Sequence, residues 1–305
     1  MELATSEGKI AQREPLQHVA YLHDGSLEGL LCCIFEAYVQ REVPEDIVRE
    51  RDYQPRFEQS SFFVQTDFNR ALRVRRGIER EAGSQAFGAV VRAAANDDPR
   101  AGVVVYRFVR YVMDKRTGRD KRRNVLNDLA NPVVGDLLAL ERRVANEEEK
   151  ARQFVRFSHL ENDVWFARCC PNANVVPLVM NHFAARFNIQ PFIIYDENHH
   201  VAGVYDGDDW SLVADDVINV LSRTADDAFI EKLWQRFYDS LSIEARYNPE
   251  LRRHFIPARL ARFLPEMEGR SRTALKAVSD GESFGRRILA DVVLVGRSVR
   301  LDLPS

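Results

Sequence analysis

Asp24, Glu28, His182, Asp196 and Asp206 are the acid–base candidates of this sequence. Carboxylates and imidazoles can exchange protons with a reacting group when at least two converge in one pocket, as hydrolysis or elimination requires. Asp24 and Glu28 share the stretch Tyr21 to Gly29, YLHDGSLEG. It lacks the G-x-x-x-x-G-K-[ST] of a phosphate loop, and its glycines are spaced G-x-x-x-G rather than G-x-G-x-x-G. Asp24-Gly25 predicts a turn, Asp24 or Ser26 a helix cap, and Gly29 a close backbone approach. The competing reading is a phosphate on the free amides of a helix start. The acidic Asp24 and Glu28 oppose it unless a metal lies between.

Metal ligation has little support in the spacing. His159, His182, His199 and His200 lie near Cys169 and Cys170, but no H-x-x-x-H or H-x-E pattern links them. Neighbours His199 and His200 are expected to point to opposite faces of a strand, so at most one can serve. The adjacent pairs Cys32–Cys33 and Cys169–Cys170 do not form a chelating loop, and they read as buried free thiols. No metal or bound cofactor is expected. No G-x-S-x-G nucleophile elbow is present. The pairs Asp208-Asp209, Asp215-Asp216 and Asp226-Asp227 read as solvated turns or caps rather than magnesium ligands.

Basic residues are grouped more tellingly. Residues 107–123 hold eight Lys and Arg against Asp114 and Asp120, with Tyr106, Phe108 and Tyr111 among them. Residues 232–272 hold nine against Asp239, Glu244, Glu250, Glu266 and Glu268, with Trp234, Phe237, Tyr238, Tyr247, Phe255 and Phe263 interleaved. Basic groups neutralise phosphates and exposed aromatics stack on unpaired bases. A solvated helix face over a buried aromatic stripe gives the same pattern. The net charge of −3 excludes a globally basic nucleic-acid binder.

Apolar spacing supplies the supporting elements. Residues 1–19 read as a polar arm. Leu27, Leu30, Leu31, Ile34, Phe35 and Tyr38 predict a helix, and further helices are expected from Thr66 or Asp67, Ser84, Pro99 and Asn131-Pro132. From 154 the character changes. FVRFSHL and DVWFARCC predict strands joined by Glu161-Asn162; VVPLVMNHFAARF predicts a helix, QPFIIYD a buried strand, and HHVAGVYDGDDWSLV a hairpin about Asp206-Gly207. DDAFIEKLWQRFYDSLSI and IPARLARFL read as helices, and VVLVG in the tail as an edge strand. The fold class is α+β: a helical part over 20–153, then a small, mainly antiparallel sheet covered by helices over 154–267, with an extension over 268–305. The polar N-terminus and the lack of a long apolar run point to the cytoplasm.

Taken in order, YLHDGSLEGLLCCIFEAY, FVRF, HFAARF, IIYD, VYDG and LWQRFYDSLSIEARYNPELRRHFIPARLARFLPE resemble a family of DNA-metabolism proteins built on a domain of unknown function, DUF4130. The resemblance spans roughly 20–266. It implies DNA repair or modification beside a radical-SAM protein encoded nearby. Some members are fused to a uracil-DNA glycosylase-like domain, so a protein of that kind is a further implied partner. The iron–sulfur cluster and S-adenosylmethionine are expected only in the radical-SAM partner, because no C-x-x-x-C-x-x-C is present here. With the second basic group, this implies DNA contact through Arg236, Arg246, Asn248, Arg252, Arg253, Arg259 and Arg262, assisted by 107–123. The alternatives are a hydrolase or lyase acting on damaged DNA through the acid–base candidates, and a structural adaptor that meets acidic proteins.

Overall fold

Val19–His23 forms strand β1, buried along its whole length, with Asp46–Arg49 (β2) on one side and Ser60–Phe63 (β3) on the other. The structure, a computed structural model, describes residues 14–114, 124–160, 163–214 and 258–264. Both β1 pairings are parallel, with Tyr21 opposite Ile47 and Phe62 and with His23 opposite Arg49. A strand covered on both faces reads as an apolar run, and VAYLH does so up to its last residue. This parallel sheet is absent from the sequence reading, which made the first half helical.

Helices surround the sheet. α1 (Leu27–Gln40) links β1 to β2 and ends at Arg41 in the left-handed region. α2 (Phe68–Ala82) starts at Asp67, whose carboxylate accepts from the amides of Asn69 and Arg70. α3 (Ser84–Ala94) and α4 (Ala101–Met113) follow. α4 lies directly on β2: a Cβ at Gly102 would stand 2.1 Å from the Ile47 carbonyl oxygen, so only glycine permits this approach. Tyr21, Leu31, Ile34, Ile47, Ile78, Phe87 and Phe108 are fully buried here. Each such side chain contributes about 1.5–3 kcal/mol on leaving water. The buried Glu42 carboxylate accepts from the Tyr21 hydroxyl and from the Leu16 amide at 3.1 Å. Those bonds offset its desolvation.

α5 (Pro132–Phe154) begins where Asn131 accepts from the Val133 amide. The chain divides into two compact units within this helix, between Val144 and Ala145. Phe154 ends α5 rather than opening a strand. In the second unit, Phe157–His159 (β4), Trp165–Cys169 (β5), Phe192–Asp196 (β6), Val201–Tyr205 (β7) and Trp210–Ala214 (β8) form one sheet in chain order. Only β5–β6 is parallel; the other pairs are antiparallel. α6 (Val176–Phe187) packs on this sheet through Met180 and Phe183, and an aromatic cluster of Phe157, Phe183, Phe187 and Phe192 fills the interior with centroids 4.5–6.5 Å apart. A short helix, α7 (Ala258–Ala261), completes the described residues. The class is thus α+β, with a parallel three-stranded sheet and a mixed, mainly antiparallel five-stranded one. The expected helix at 226–243, the turn at Glu161-Asn162 and the strand in the tail lie outside the described residues.

Candidate functional site

The β1–α1 turn lies at the C-terminal edge of the central strand, where the chain leaves β1 between two parallel neighbours. In open parallel sheets such a switch point is the usual place for a ligand crevice. Gly25 has φ +93°, which glycine adopts without strain, and its turn runs along the Arg49 side chain from β2. Ser26 is the cap: its hydroxyl accepts from the Gly29 amide at 2.9 Å. Asp24 accepts from the Ser26 amide at 2.9 Å and hydroxyl at 2.5 Å, and from the Thr66 hydroxyl at 2.8 Å. Gly29 makes this packing possible, because a Cβ there would lie 2.4 Å from Asp24 Oδ1.

His23 is 6% exposed, and burial pushes its pKa down to about 4, the nearby Arg49 cation outweighed as a cause but acting in the same direction and Asp24 opposing. The ring is therefore neutral near pH 7. The Gly25 amide donates to Nδ1 at 3.2 Å, so the ring proton sits on Nε2. Arg49 reaches Asp97 Oδ1 at 3.3 Å and the Asn96 carbonyl at 3.5 Å. Glu28 has its pKa raised by burial and by the nearby Asp24 charge. Burial alone would raise Asp24 as well, but the Ser26 and Thr66 hydrogen bonds bring it below the ordinary carboxylate value. Two neighbouring carboxyl groups are thus pushed apart, one toward an acid and one toward a base.

The other acid–base candidates lie in the second unit. Asp196 is fully buried: Oδ1 accepts from the amides of Asn198 at 2.9 Å and His199 at 3.2 Å, while Oδ2 meets His199 Nδ1 at 2.6 Å. It thereby organises the tight turn 197–200, which contains both His199 and His200. The expectation that these two histidines alternate on a strand is corrected, since carboxylate bonds to successive amides favour a turn. Asp206 accepts from the Asp208 and Asp209 amides at 2.9 Å, forming the hairpin turn, and these bonds hold its pKa low. His182 is exposed on α6, edge-on to Phe183. Only Asp24 and Glu28 share one site. No group of His, Cys, Asp and Glu suited to a metal occurs among the described residues.

Of the nucleic-acid candidates, Arg236, Arg246, Asn248, Arg252 and Arg253 lie outside the described residues, as do Lys115 to Arg123. Arg259 turns inward. Its Nη2 lies 2.7 Å from both oxygens of Glu147, and its Nε donates to Asn172 Oδ1 at 3.0 Å. Burial would raise Glu147, but the Asn172 amide, Lys150 and Arg259 together leave its pKa lowered. Arg262 is 47% exposed, pairs with Glu197 at 2.7 Å and lies 4.5 Å from the Phe263 ring centroid. Leu260 and Leu264 are buried, which anchors the segment. A small cleft beside it is lined by Glu147, Lys150, Phe154, Arg168, Cys169 and Phe263. The sequence reading missed Glu147 and Glu197; the charge surplus of 232–272 was the available sign that acidic partners lay elsewhere.

A sequence model described as a domain of unknown function, DUF4130, matches residues 99–266. The chain belongs to this family. The matched region starts at the approach to α4 and runs through both α5 and α7, so β1–β3 and the β1–α1 turn precede it. No curated protein matches the chain. No helix among the described residues is long and apolar enough to cross a membrane.

Proposed function

We propose that the chain is a cytoplasmic DNA-metabolism or DNA-repair accessory protein that binds nucleic acid and works with a radical-SAM partner. The observation that carries this reading is Arg262, half-exposed and lying on Phe263 at the close of the basic–aromatic segment. An arginine on a ring offers a cation and a stacking plane together. The ordered resemblance supplies the partner, which brings the iron–sulfur cluster and S-adenosylmethionine. A uracil-DNA glycosylase-like protein is a further candidate in the same complex.

The test is fluorescence anisotropy of the full chain, with and without the partner, on single- and double-stranded oligonucleotides at rising salt. Affinity should fall steeply as counterions reclaim the phosphates. Absence of binding at low salt in both arms overturns the reading. Arg252→Glu combined with Arg253→Glu should weaken binding at least tenfold, and an unchanged affinity moves the contact away from that segment.

A hydrolase or lyase acting on damaged DNA is the second reading, favoured by the opposite pKa displacements of Asp24 and Glu28. It predicts turnover of an abasic-site oligonucleotide by the purified complex, lost in Glu28→Gln. Turnover unaffected by that substitution removes the pair from the chemistry.

A further inference from the structure

α2 of the first unit carries a row of arginines that belongs to neither basic group read in the sequence. α2 contains Arg70, Arg73, Arg75, Arg76 and Arg80 against Glu79 and Glu81. Asp67 takes Arg70 and Glu79 takes Arg75, the latter pair lying partly buried. Arg73, Arg76 and Arg80 remain on one exposed stripe, at helical spacing opposite the buried Ala71 and Ile78. Arg76 has no partner among the described residues. Arg80 is 74% exposed and among the described residues pairs with the adjacent Glu81, at 3.1 Å, a pairing that contributes little. Arg73 is exposed, with its guanidinium carbon 5.2 Å from the centroid of the Phe35 ring of α1.

The neighbouring helices extend the same chemistry. Gly77, between Arg76 and Ile78, brings α2 against Met113 at the end of α4. On α4, Arg110 donates to the Tyr106 hydroxyl at 3.3 Å, and Arg107 is exposed and unpaired among the described residues. Tyr38 on α1 is 45% exposed within the field of Arg110. Asp114 is the acid whose charge acts on Tyr38, and Glu36 on α1 accepts from Gln40 at 2.8 Å.

We propose that the α2 stripe of Arg73, Arg76 and Arg80, with the exposed Tyr38 and Arg107 of the helices packed on α2, is a nucleic-acid backbone contact surface. Arg73 and Arg80 are separated by about 10 Å along the helix axis, over which one strand of B-form DNA presents about three phosphates. Guanidinium forks match phosphate oxygens, and the exposed tyrosine ring is a stacking plane that an acidic protein would not require. The proposal rests on the nucleic-acid reading above but places contact on a different unit from the 232–262 segment.

The experiment measures the salt dependence of anisotropy for the full chain on single-stranded DNA. Replacing Arg73, Arg76 and Arg80 together by glutamine should lower the slope of log affinity against log salt by about two, roughly 0.7 for each lost phosphate contact on a single strand. The triple lysine variant, which keeps the charges, should retain the slope. Circular dichroism and a thermal melt confirm that both variants fold. An unchanged slope in the glutamine variant, with Arg252→Glu/Arg253→Glu still weakening binding, overturns this surface and leaves the proposed function standing. Equal loss in the glutamine and lysine variants also overturns it. A wild-type chain that binds no DNA overturns both.

Discussion

Two strands of this molecule end in a turn bearing histidine and aspartate, and the two turns do different work. At the end of β6, Asp196 spends both oxygens on His199 and on turn amides, and both side chains are closed from solvent. At the end of β1, His23 and Asp24 do not bond to each other; His23 takes the Gly25 amide and Asp24 takes Ser26 and Thr66. Asp24 and Gly25 stay exposed, and Arg49 and Glu28 stand beside them. Residue types alone do not separate a structural dyad from an open polar edge; the location of the turn does. A hairpin turn can close on itself, whereas the turn leaving a central parallel strand faces the gap between its neighbours.

The largest expected effect separates these roles. Asp196→Ala should cost about 3–5 kcal/mol, because it leaves His199 and buried amides unsatisfied. Chemical denaturation monitors it, and a loss below 1 kcal/mol would mean that the turn holds without its carboxylate. Next comes pH. His23 has a folded pKa of about 4 against an ordinary 6.5, so below pH 6.5 the unfolded chain binds a proton that the folded chain refuses. Stability should therefore be complete above about pH 6.5 and fall by about 3 kcal/mol toward pH 4, where the folded ring also titrates. His23→Gln should remove that slope, and a pH profile identical to wild type would contradict the buried neutral ring.

Gly29→Ala should cost about 1–3 kcal/mol, since the new methyl group must displace the Asp24 carboxylate. A melt no lower than wild type would show that the β1–α1 turn yields easily. The smallest effect is the cap: Ser26→Ala should lose about 1 kcal/mol, and Ser26→Asp should restore most of it.

Most helices were legible because their apolar spacing and caps agree. Asp67, Ser26 and Asn131 all cap where the pattern starts. The second sheet was legible for a similar reason: QPFIIYD and the Asp206-Gly207 hairpin are local signals. The first sheet was not, because β2 and β3 span only Asp46–Arg49 and Ser60–Phe63 and pair with β1 rather than with a neighbour in sequence. Runs of that length are ambiguous by periodicity. The cue was the order VAYLH, Asp-Gly turn, helix, then IV, which is the opening of a parallel β–α–β unit. The β1–α1 site was therefore visible as residues but not as a place. Arg259 was legible as a cation and illegible in direction, since its partner Glu147 is over a hundred residues away.

The contact of α4 with β2 at Gly102 bears on how this family is to be handled in the laboratory. The DUF4130 match begins three residues before that glycine, so its first helix is a guest on a sheet that the match does not include. A fragment started at residue 99 would present Val104, Val105, Phe108 and Val109 to water, the side chains that α4 now buries. Such a fragment would be expected to aggregate, whatever the soundness of its second unit. The sequence boundary of the family and the boundary of what can be expressed intact are different lines on the same chain.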